Sequence, residues 1–189
     1  MTLTHGIDLS ALDLGSETIR TERLVLRPFR REDVDAVFLA SQDAETQRWI
    51  SAIPVPYTRE AARAFVEDVA MRQRAEGTGL STVMEADGEL AGTAGLTFGP
   101  GRLGPEIGYS VAPWARGHRY AAEAARALAD WALERGAPRV HLYADVLNTT
   151  SQAVARRAGF TEEGVVRSCL EYREGARGDA VLFGRLPGD

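Results

Sequence analysis

The sequence predicts a mixed α/β (α+β) fold, with one domain built on a mixed twisted sheet of about seven strands and helices on both faces. Two observations predict it. Segments of alternating polarity occur in pairs joined by short turns, and Asp87-Gly88 is a strong hairpin signal between two of them. Elsewhere a strand, a helix and a strand follow one another, which is typical of a crossover between parallel strands. The predicted order of elements is β-α-α-β-β-β-α-β-α-β-β.

The first half of the chain contains one strand, two helices and three further strands. Alternation of Leu24 and Leu26 with Val25 predicts a strand in "TERLVLRPF". Helical spacing of apolar residues follows in "REDVDAVFLAS". A second helix is predicted in "YTREAARAFVEDVAMRQRAEG", capped by Thr58 and ended by Gly77. Three extended segments come next: "LSTVMEA", "ELAGTAGLTF" and "GPEIGYSVAP".

The second half begins with a long helix predicted from Arg116 to Arg135. Its apolar residues fall on one face: Tyr120, Ala124, Leu128, Trp131 and Ala132. A strand in "RVHLYADV" and a short helix in "NTTSQAVARRAG", closed by Gly159, come next. The last two strands are predicted in "FTEEGVVRSCLEY" and "DAVLFGRL", joined by "REGARG".

Composition excludes several classes of protein. A net charge of −5 argues against a nucleic-acid partner, and no apolar run approaches the roughly 20 residues that a membrane span needs. One cysteine and three scattered histidines make neither an internal disulfide nor a metal site. The N-terminus lacks the pattern of a signal peptide, so we expect a cytoplasmic protein. Residues 1–17 are predicted to form an arm, either mobile or a partner-binding strand, and residues 18–187 the domain.

The stretch "EIGYSVAPWARGHRYAAEA" combines a strand, a turn and the start of a helix. The first turn of a helix has unpaired N–H groups and a partial positive charge, which suit a phosphate. Gly117 allows close approach of the backbone, and Arg116, His118 and Arg119 supply cations. The stretch therefore predicts a phosphate-binding loop, and the alternative is the ordinary start of a surface helix.

The motifs that follow this loop carry a resemblance. Asn148 and Ser151 lie in "NTTS", and "AGF" and "EEGVVR" come after it. In this order, "RGHRYA", "NTTS", "AGF" and "EEGVVR" resemble the GNAT superfamily of acetyl-CoA-dependent N-acetyltransferases. The opening "IRTERLVLRPFRREDVDAV" is similar to the branch that acetylates the N-termini of ribosomal proteins. The resemblance covers roughly residues 18–186 and implies a GNAT-like domain with acetyl-CoA as co-substrate. The residues it implies for acetyl-CoA binding are Val111, Arg116, Gly117, His118, Arg119, Tyr120, Ala121, Asn148, Ser151 and Arg157.

Two positions depart from the family pattern. The family loop reads Arg/Gln-x-x-Gly-x-Gly/Ala, and Arg119 stands at the first of these glycines. We expect right-handed helical φ and ψ at Arg119, with its guanidinium reaching a phosphate, whereas a positive φ would distort the loop and weaken binding. Many members also carry a tyrosine that protonates the leaving thiolate. Ala155 stands at that position here, and the resemblance points to Ser151 instead.

Acetyl transfer to an amine requires a neutral nucleophile, a polarised carbonyl and a protonated leaving thiolate. Glu106, on the strand that leads to the loop, is the predicted base; alternatively it pairs with a cation or faces solvent. Ser151 is the predicted acid or proton relay to sulfur, and alternatively a helix cap. Asn148 binds amide groups of the co-substrate or ends a strand. Arg157 approaches the adenosine phosphates or remains a solvated charge.

The resemblance also implies where the acceptor binds. It places the loop "ISAIPVP" over the acceptor groove, so Trp49 is either a substrate wall or a core residue. Glu171 and Tyr172 are expected on the other side of the groove. His141 is predicted as a packed or surface histidine, and Cys169 as a half-buried strand residue without a catalytic role.

The function that these residues predict is transfer of an acetyl group from acetyl-CoA to a primary amine, in a ternary complex. The acceptor is the N-terminus of a protein or a small amine, and a homodimer is expected because many relatives pair. The alternative is a non-catalytic acyl-CoA-binding or regulatory protein that keeps the fold. Arg119 and the missing tyrosine favour that alternative.

Overall fold

A mixed sheet of eight strands forms the centre of the computed structural model, which describes residues 3–4, 7–9, 12–99 and 103–189. The sheet contains β3 (Ile19–Arg20), β4 (Val25–Arg27), β5 (Gly79–Ala86), β6 (Glu89–Thr97), β7 (Glu106–Val111), β8 (Val140–Asp145), β9 (Thr161–Glu171) and β10 (Arg177–Arg185). Two further strands, β1 (Leu3–Thr4) and β2 (Ile7–Asp8), precede it in the chain. Parts of the predicted N-terminal arm and of the turn in "GPGRLG" lie outside the described residues.

The sheet has the order β3-β4-β5-β6-β7-β8-β10-β9, and β1 pairs with β2 separately. Every neighbouring pair in the sheet is antiparallel except β7 and β8, which are parallel. The predicted mixed sheet is therefore confirmed, with eight strands rather than about seven. The additional strand, β3, has only two residues, which is too short to show an alternating pattern.

The described α-helices are α1 (Val34–Ser41), α2 (Ala44–Trp49), α3 (Arg59–Arg63), α4 (Met71–Ala75), α5 (Tyr120–Glu134) and α6 (Thr149–Arg157). Of these, α1, α4, α5 and α6 contact strands of the sheet, and α2 and α3 contact α1. A π-helical segment, Ala64–Ala70, joins α3 to α4, so the predicted second helix is confirmed as one continuous element. Thr58 caps it through a hydrogen bond of 3.1 Å from the N–H of Ala61, and Gly77 after its end has φ +69°. The sequence did not predict α2, because six residues are too few to show an apolar stripe.

The core lies between the sheet and the helices. Its largest fully buried side chains are Phe183, Ile7, Leu24, Leu26, Leu80, Met84, Leu96, Leu128, Leu142, Val66, Val83 and Val140. Alanines on α5 and on β6 keep the separation between these elements small, because a methyl side chain lets two backbones approach closely. No helix among the described residues is both long and apolar enough to cross a bilayer.

Residues 12–17 of the predicted arm contact the domain. Leu14 is buried, and the guanidinium of Arg74 donates to the carbonyl oxygen of Glu17 and, at 2.9 Å, to that of Ser81. The Glu17 carboxylate accepts a bond of 2.7 Å from Nε1 of Trp131. These bonds join the end of the arm to α4, β5 and α5, while the boundary at residue 17 stays a prediction.

Candidate active site

A gap between β7 and β8 forms the centre of the candidate site. The two strands pair only at Glu106 and His141, where the His141 N–H donates to the carbonyl oxygen of Pro105 at 3.0 Å. Within the described residues no further ladder pair joins them. A cavity of about 1390 Å³ opens where they separate, and residues of both strands line it. β7 and β8 therefore diverge from this pair toward their carboxyl ends.

The cavity brings the predicted site residues together, with the exception of His118. Those that line it are Trp49, Glu106, Val111, Arg116, Gly117, Arg119, Tyr120, Ala121, Asn148, Ser151, Arg157, Glu171 and Tyr172. They come from four separate parts of the chain: the end of α2, β7 with the following loop and the first turn of α5, both ends of α6, and the end of β9. Their shared location follows from the sheet order, while their individual roles stay predictions.

The loop between β7 and α5 presents a row of backbone donors. Within the described part of the chain, the N–H groups of residues 117–121 donate to no acceptor. The next two N–H groups, those of Ala122 and Glu123, both donate to the carbonyl oxygen of Arg119. Gly117 has φ +84° and nothing near the position of a Cβ. Free amides at the positive end of a 15-residue helix form an anion-binding surface.

The conformation of Arg119 corrects the sequence prediction. Its φ is +65° and its ψ is +18°, so the residue is left-handed and not right-handed helical as expected. For that reason α5 begins at Tyr120 and not at Arg116. A left-handed conformation costs a residue with a Cβ roughly 1–2 kcal/mol, which explains why the family pattern has glycine here. The exposed Arg119 side chain still lines the cavity.

Two of the predicted cations make contacts within the protein. Arg116 donates to both carboxylate oxygens of Asp43, one of them at 3.3 Å, and to Oγ1 of Thr46 at 3.1 Å. This pairing lowers the pKa of Asp43 to about 2. Nδ1 of His118 lies 3.0 Å from the carbonyl oxygen of Arg116, and its ring stacks on Tyr120 with centroids 5.3 Å apart. His118 therefore braces the loop and does not reach the cavity.

The start of α6 corrects one alternative and reveals a residue that sequence reasoning missed. Asn148 caps α6, accepting a bond of 3.0 Å from the Ser151 N–H, so the alternative that Ser151 is the cap is wrong. Oγ of Ser151 lies 2.9 Å from Oη of Tyr109 on β7. Burial raises the pKa of Tyr109 to about 12. Strand alternation marks Tyr109 only as an inward residue, and nothing local indicates that its hydroxyl meets residue 151.

Glu106 lies at the closed end of the gap, where β7 still pairs with β8. Its side chain is 50% exposed, yet partial burial desolvates the carboxylate enough to raise its pKa. The nearest cationic candidate is Nε2 of His141, at 3.8 Å, but burial lowers the pKa of this histidine and keeps it neutral at pH 7. Alternation along β7 places Glu106 and Tyr109 on opposite faces of the sheet. The two predicted proton-handling groups, Glu106 and Ser151, are thus reached from opposite sides of the gap.

The side of the cavity that is predicted to take the acceptor has two walls. One is Trp49 with residues 50–54, and the other is the end of β9, residues 169–172. Arg173 ties the walls together, because its guanidinium donates to the carbonyl oxygens of Ile53 at 2.7 Å and Gln47 at 3.0 Å. Cys169 lies in the second wall, and burial raises the pKa of its thiol, as expected for a residue without a nucleophilic role.

Tyr172 is held in the second wall by a bond across the sheet. Its hydroxyl donates to Oδ2 of Asp145 on β8, and it reaches that strand by crossing β10 at Gly178. A side chain at residue 178 would overlap the ring. The N–H of Leu147 donates to the other oxygen of Asp145 at 2.8 Å, so the buried carboxylate is bonded at both ends.

Comparison with a family model, a related sequence and two solved structures identifies the family of this chain. The model of the acetyltransferase (GNAT) domain family matches residues 23–161. An uncharacterized N-acetyltransferase, p20 of Bacillus licheniformis, is 26% identical over 90% of this chain and 96% of its own length. The structure of RimL, a ribosomal L7/L12 α-N-protein acetyltransferase, in complex with coenzyme A has a TM-score of 0.79 at 24% identity, covering 90% of this chain and 98% of RimL. That of the microcin C7 self-immunity acetyltransferase MccE, with acetyl-CoA and AMP, has a TM-score of 0.79 at 18% identity over 88% of this chain and 93% of MccE. The chain belongs to the acetyltransferase (GNAT) family, as the order of its motifs predicts.

Proposed function

We propose that the protein transfers an acetyl group from acetyl-CoA to a primary amine by direct attack in a ternary complex. The observation that carries this proposal is the gap between β7 and β8. It connects the free N–H groups of residues 117–121 with Glu106 on one face of the sheet and Ser151 on the other. A thioester in the gap would be open to an amine on one face and to a hydrogen-bond donor for sulfur on the other.

The residues around the gap fit acetyl-CoA. The free amides of residues 117–121 suit a pyrophosphate, and Arg119 and Arg157 add cationic side chains on the same cavity. Val111 lies at the carboxyl end of β7 on the cavity wall, where its N–H would polarise the acetyl carbonyl. The structures of RimL and MccE, named for their complexes with coenzyme A and acetyl-CoA, support this choice of co-substrate.

Each step of the transfer then has a residue to assist it. Glu106 accepts the proton that the amine nitrogen loses as the C–N bond forms. Five residue steps along β7, about 16 Å, separate it from Val111, so this proton travels through intervening water. Its raised pKa brings the base closer to neutral pH. Ser151 donates its hydroxyl hydrogen to sulfur as the C–S bond breaks. Its oxygen regains a proton from water, and Glu106 returns the amine's proton to that water, so that no net proton is gained or lost.

The acceptor that we propose is the N-terminal amine of a protein or a small-molecule amine. The carboxylates of Glu45, Glu106 and Glu171 line the cavity and would attract a protonated amine. RimL is named for a ribosomal protein as its substrate, which favours a peptide N-terminus. A cytoplasmic location and a homodimer are part of the same proposal.

Release of free thiol from acetyl-CoA tests the function. The acceptors are peptides with serine or alanine at a free N-terminus and a set of small primary amines, and peptides with a blocked N-terminus are the control. We expect thiol release that requires the free amine and that falls in the Glu106→Gln variant. Tight binding of acetyl-CoA with no thiol release for any acceptor would instead support the non-catalytic alternative.

A further inference from the structure

The hydroxyl groups of Tyr109 and Ser151 form a contact that has no role in the acetyl transfer proposed above. Oη of Tyr109 lies 2.9 Å from Oγ of Ser151 and 3.1 Å from the carbonyl oxygen of the same residue. Both side chains line the cavity, and Asn148 fixes the first turn of α6 by accepting from the Ser151 N–H at 3.0 Å. The contact therefore joins β7 to the residue that is expected to face the sulfur.

The number of hydrogens limits what this pair can do. A phenol has one hydrogen to donate, and a serine hydroxyl also has one. If Tyr109 donates to the Ser151 carbonyl, the short Oη–Oγ contact requires the Ser151 hydrogen to point back at Oη, and none is left for sulfur. If Tyr109 donates to Oγ, the Ser151 hydrogen is free to point into the cavity.

The helix favours the second arrangement. In a regular α-helix the carbonyl of residue 151 already accepts from the N–H of residue 155, so it does not need the phenol. The Oη–Oγ distance is also the shorter of the two. Burial keeps the phenol protonated at neutral pH, since it raises the pKa of Tyr109 to about 12.

We propose that Tyr109 is a positioning residue that donates its hydroxyl hydrogen to Oγ of Ser151 and so directs the Ser151 hydrogen toward the leaving sulfur. Tyr109 itself transfers no proton and does not touch the reacting atoms. The proposal rests on the proposed acetyl transfer, and it gives the weakly acidic serine a fixed orientation without the tyrosine that many family members carry at position 155.

A double-mutant cycle tests the proposal. The variants are Tyr109→Phe, Ser151→Ala and the double variant, with Tyr143→Phe as the matched control that removes another hydroxyl from the same cavity. Loss of one directing hydrogen bond of about 1.4 kcal/mol predicts a roughly tenfold lower kcat for Tyr109→Phe, with acetyl-CoA affinity and acceptor KM within about twofold of wild type. In the Ser151→Ala background the same change has no further effect, because the donor that it orients is absent.

Each outcome has a distinct meaning. An inactive wild type overturns the proposed function and the positioning role with it. An active wild type with unchanged kcat in Tyr109→Phe overturns the positioning role alone. So does an equal loss of kcat in both backgrounds, which would indicate a structural effect that does not act through Ser151.

A second measurement keeps the proposal testable if Tyr109→Phe does not fold. Replacing Tyr109 with a difluorotyrosine retains the hydroxyl but lowers its pKa. We expect kcat of this variant to fall at alkaline pH, because the analogue there loses the hydrogen that it donates to Ser151. The same analogue at Tyr143 is the control and should cause no such fall. A flat alkaline profile for the analogue at residue 109 would overturn the proposal.

Discussion

The guanidinium of Arg116 pairs with the carboxylate of Asp43, and this pair joins the loop before α5 to the cap of α2. Asp43 also accepts from the Thr46 N–H at 2.8 Å, so the same carboxylate caps the helix that ends at Trp49. The end of the cavity proposed to bind phosphate and one wall of its proposed acceptor side are thus linked through two side chains.

This link predicts that Asp43 competes with phosphate for Arg116. Asparagine at residue 43 keeps the helix cap but loses the charge, so Asp43→Asn should release the guanidinium. An exposed ion pair contributes about 0–1 kcal/mol, so acetyl-CoA should bind up to roughly fivefold more tightly in calorimetry. Glu45→Gln is the control because its carboxylate lies farther from Arg116, at 3.5 Å. Unchanged affinity in both Asp43→Asn and Arg116→Ala would mean that Arg116 has no contact with phosphate.

The same pair predicts a dependence of stability on pH. Its contact with Arg116 lowers the pKa of Asp43 to about 2 in the folded state, against an ordinary value of about 3.9 when unfolded. The contribution of Asp43 is therefore complete above pH 4 and is lost as the pH falls from about 4 to 2. Urea unfolding across this window should show a smaller loss of stability in Asp43→Asn than in wild type. Parallel curves would show that another carboxylate dominates.

Strain at Arg119 can be separated from its charge by two substitutions. Arg119→Ala removes the cation and keeps a Cβ at φ +65°, whereas Arg119→Gly also removes the strain. We expect the glycine variant to be more stable than the alanine variant by about 1 kcal/mol in urea unfolding. Acetyl-CoA should bind both variants more weakly than wild type if the guanidinium meets a phosphate. Tighter binding by the glycine variant would show that strain in the loop outweighs the lost cation.

The crossing of Tyr172 over Gly178 predicts that residue 178 does not tolerate a side chain. In Gly178→Ala the new methyl group overlaps the phenol and pushes it off Asp145, which leaves a buried carboxylate oxygen without its donor. We expect a loss of about 1–3 kcal/mol in stability and a weakened acceptor side of the cavity. Gly99→Ala is the control, because a Cβ at residue 99 meets nothing within 4 Å. Equal stability of the two variants would contradict the crossing.

The bridge made by Arg173 predicts a selective effect on the acceptor. Arg173→Ala removes its bonds to the carbonyl oxygens of Gln47 and Ile53 and releases the loop after α2. Amide hydrogen exchange in residues 50–57 should accelerate, and KM for the acceptor should rise severalfold while acetyl-CoA affinity stays within about twofold. Arg167→Ala on the exposed edge strand β9 is the control. A matching change in acetyl-CoA affinity would indicate that the bridge supports the whole cavity.

Local signals accounted for much of the fold. The turn at Asp87-Gly88, the cap at Thr58 and the positive φ at Gly77 each act within a few residues, and each is found in the structure. The sequence did not predict α2, because only six helical residues follow its cap at Asp43. At Ser151 the local capping signal was misassigned, since Asn148 three residues earlier supplies the cap.

The sequence by itself determined the family and the order of the longer elements, because alternation, glycine positions and motif order are local features of the chain. It also predicted many of the residues that line the cavity, but not Tyr109. The tertiary structure decided how those residues are paired. Tyr109 meets Ser151 across 42 positions, Arg116 meets Asp43 across 73, and Tyr172 meets Asp145 across 27. These contacts depend on which strands become neighbours and how far β7 and β8 separate, and no local pattern carries that information. The same holds for the sign of φ at Arg119, which is set by how the loop must enter α5 and not by the arginine itself.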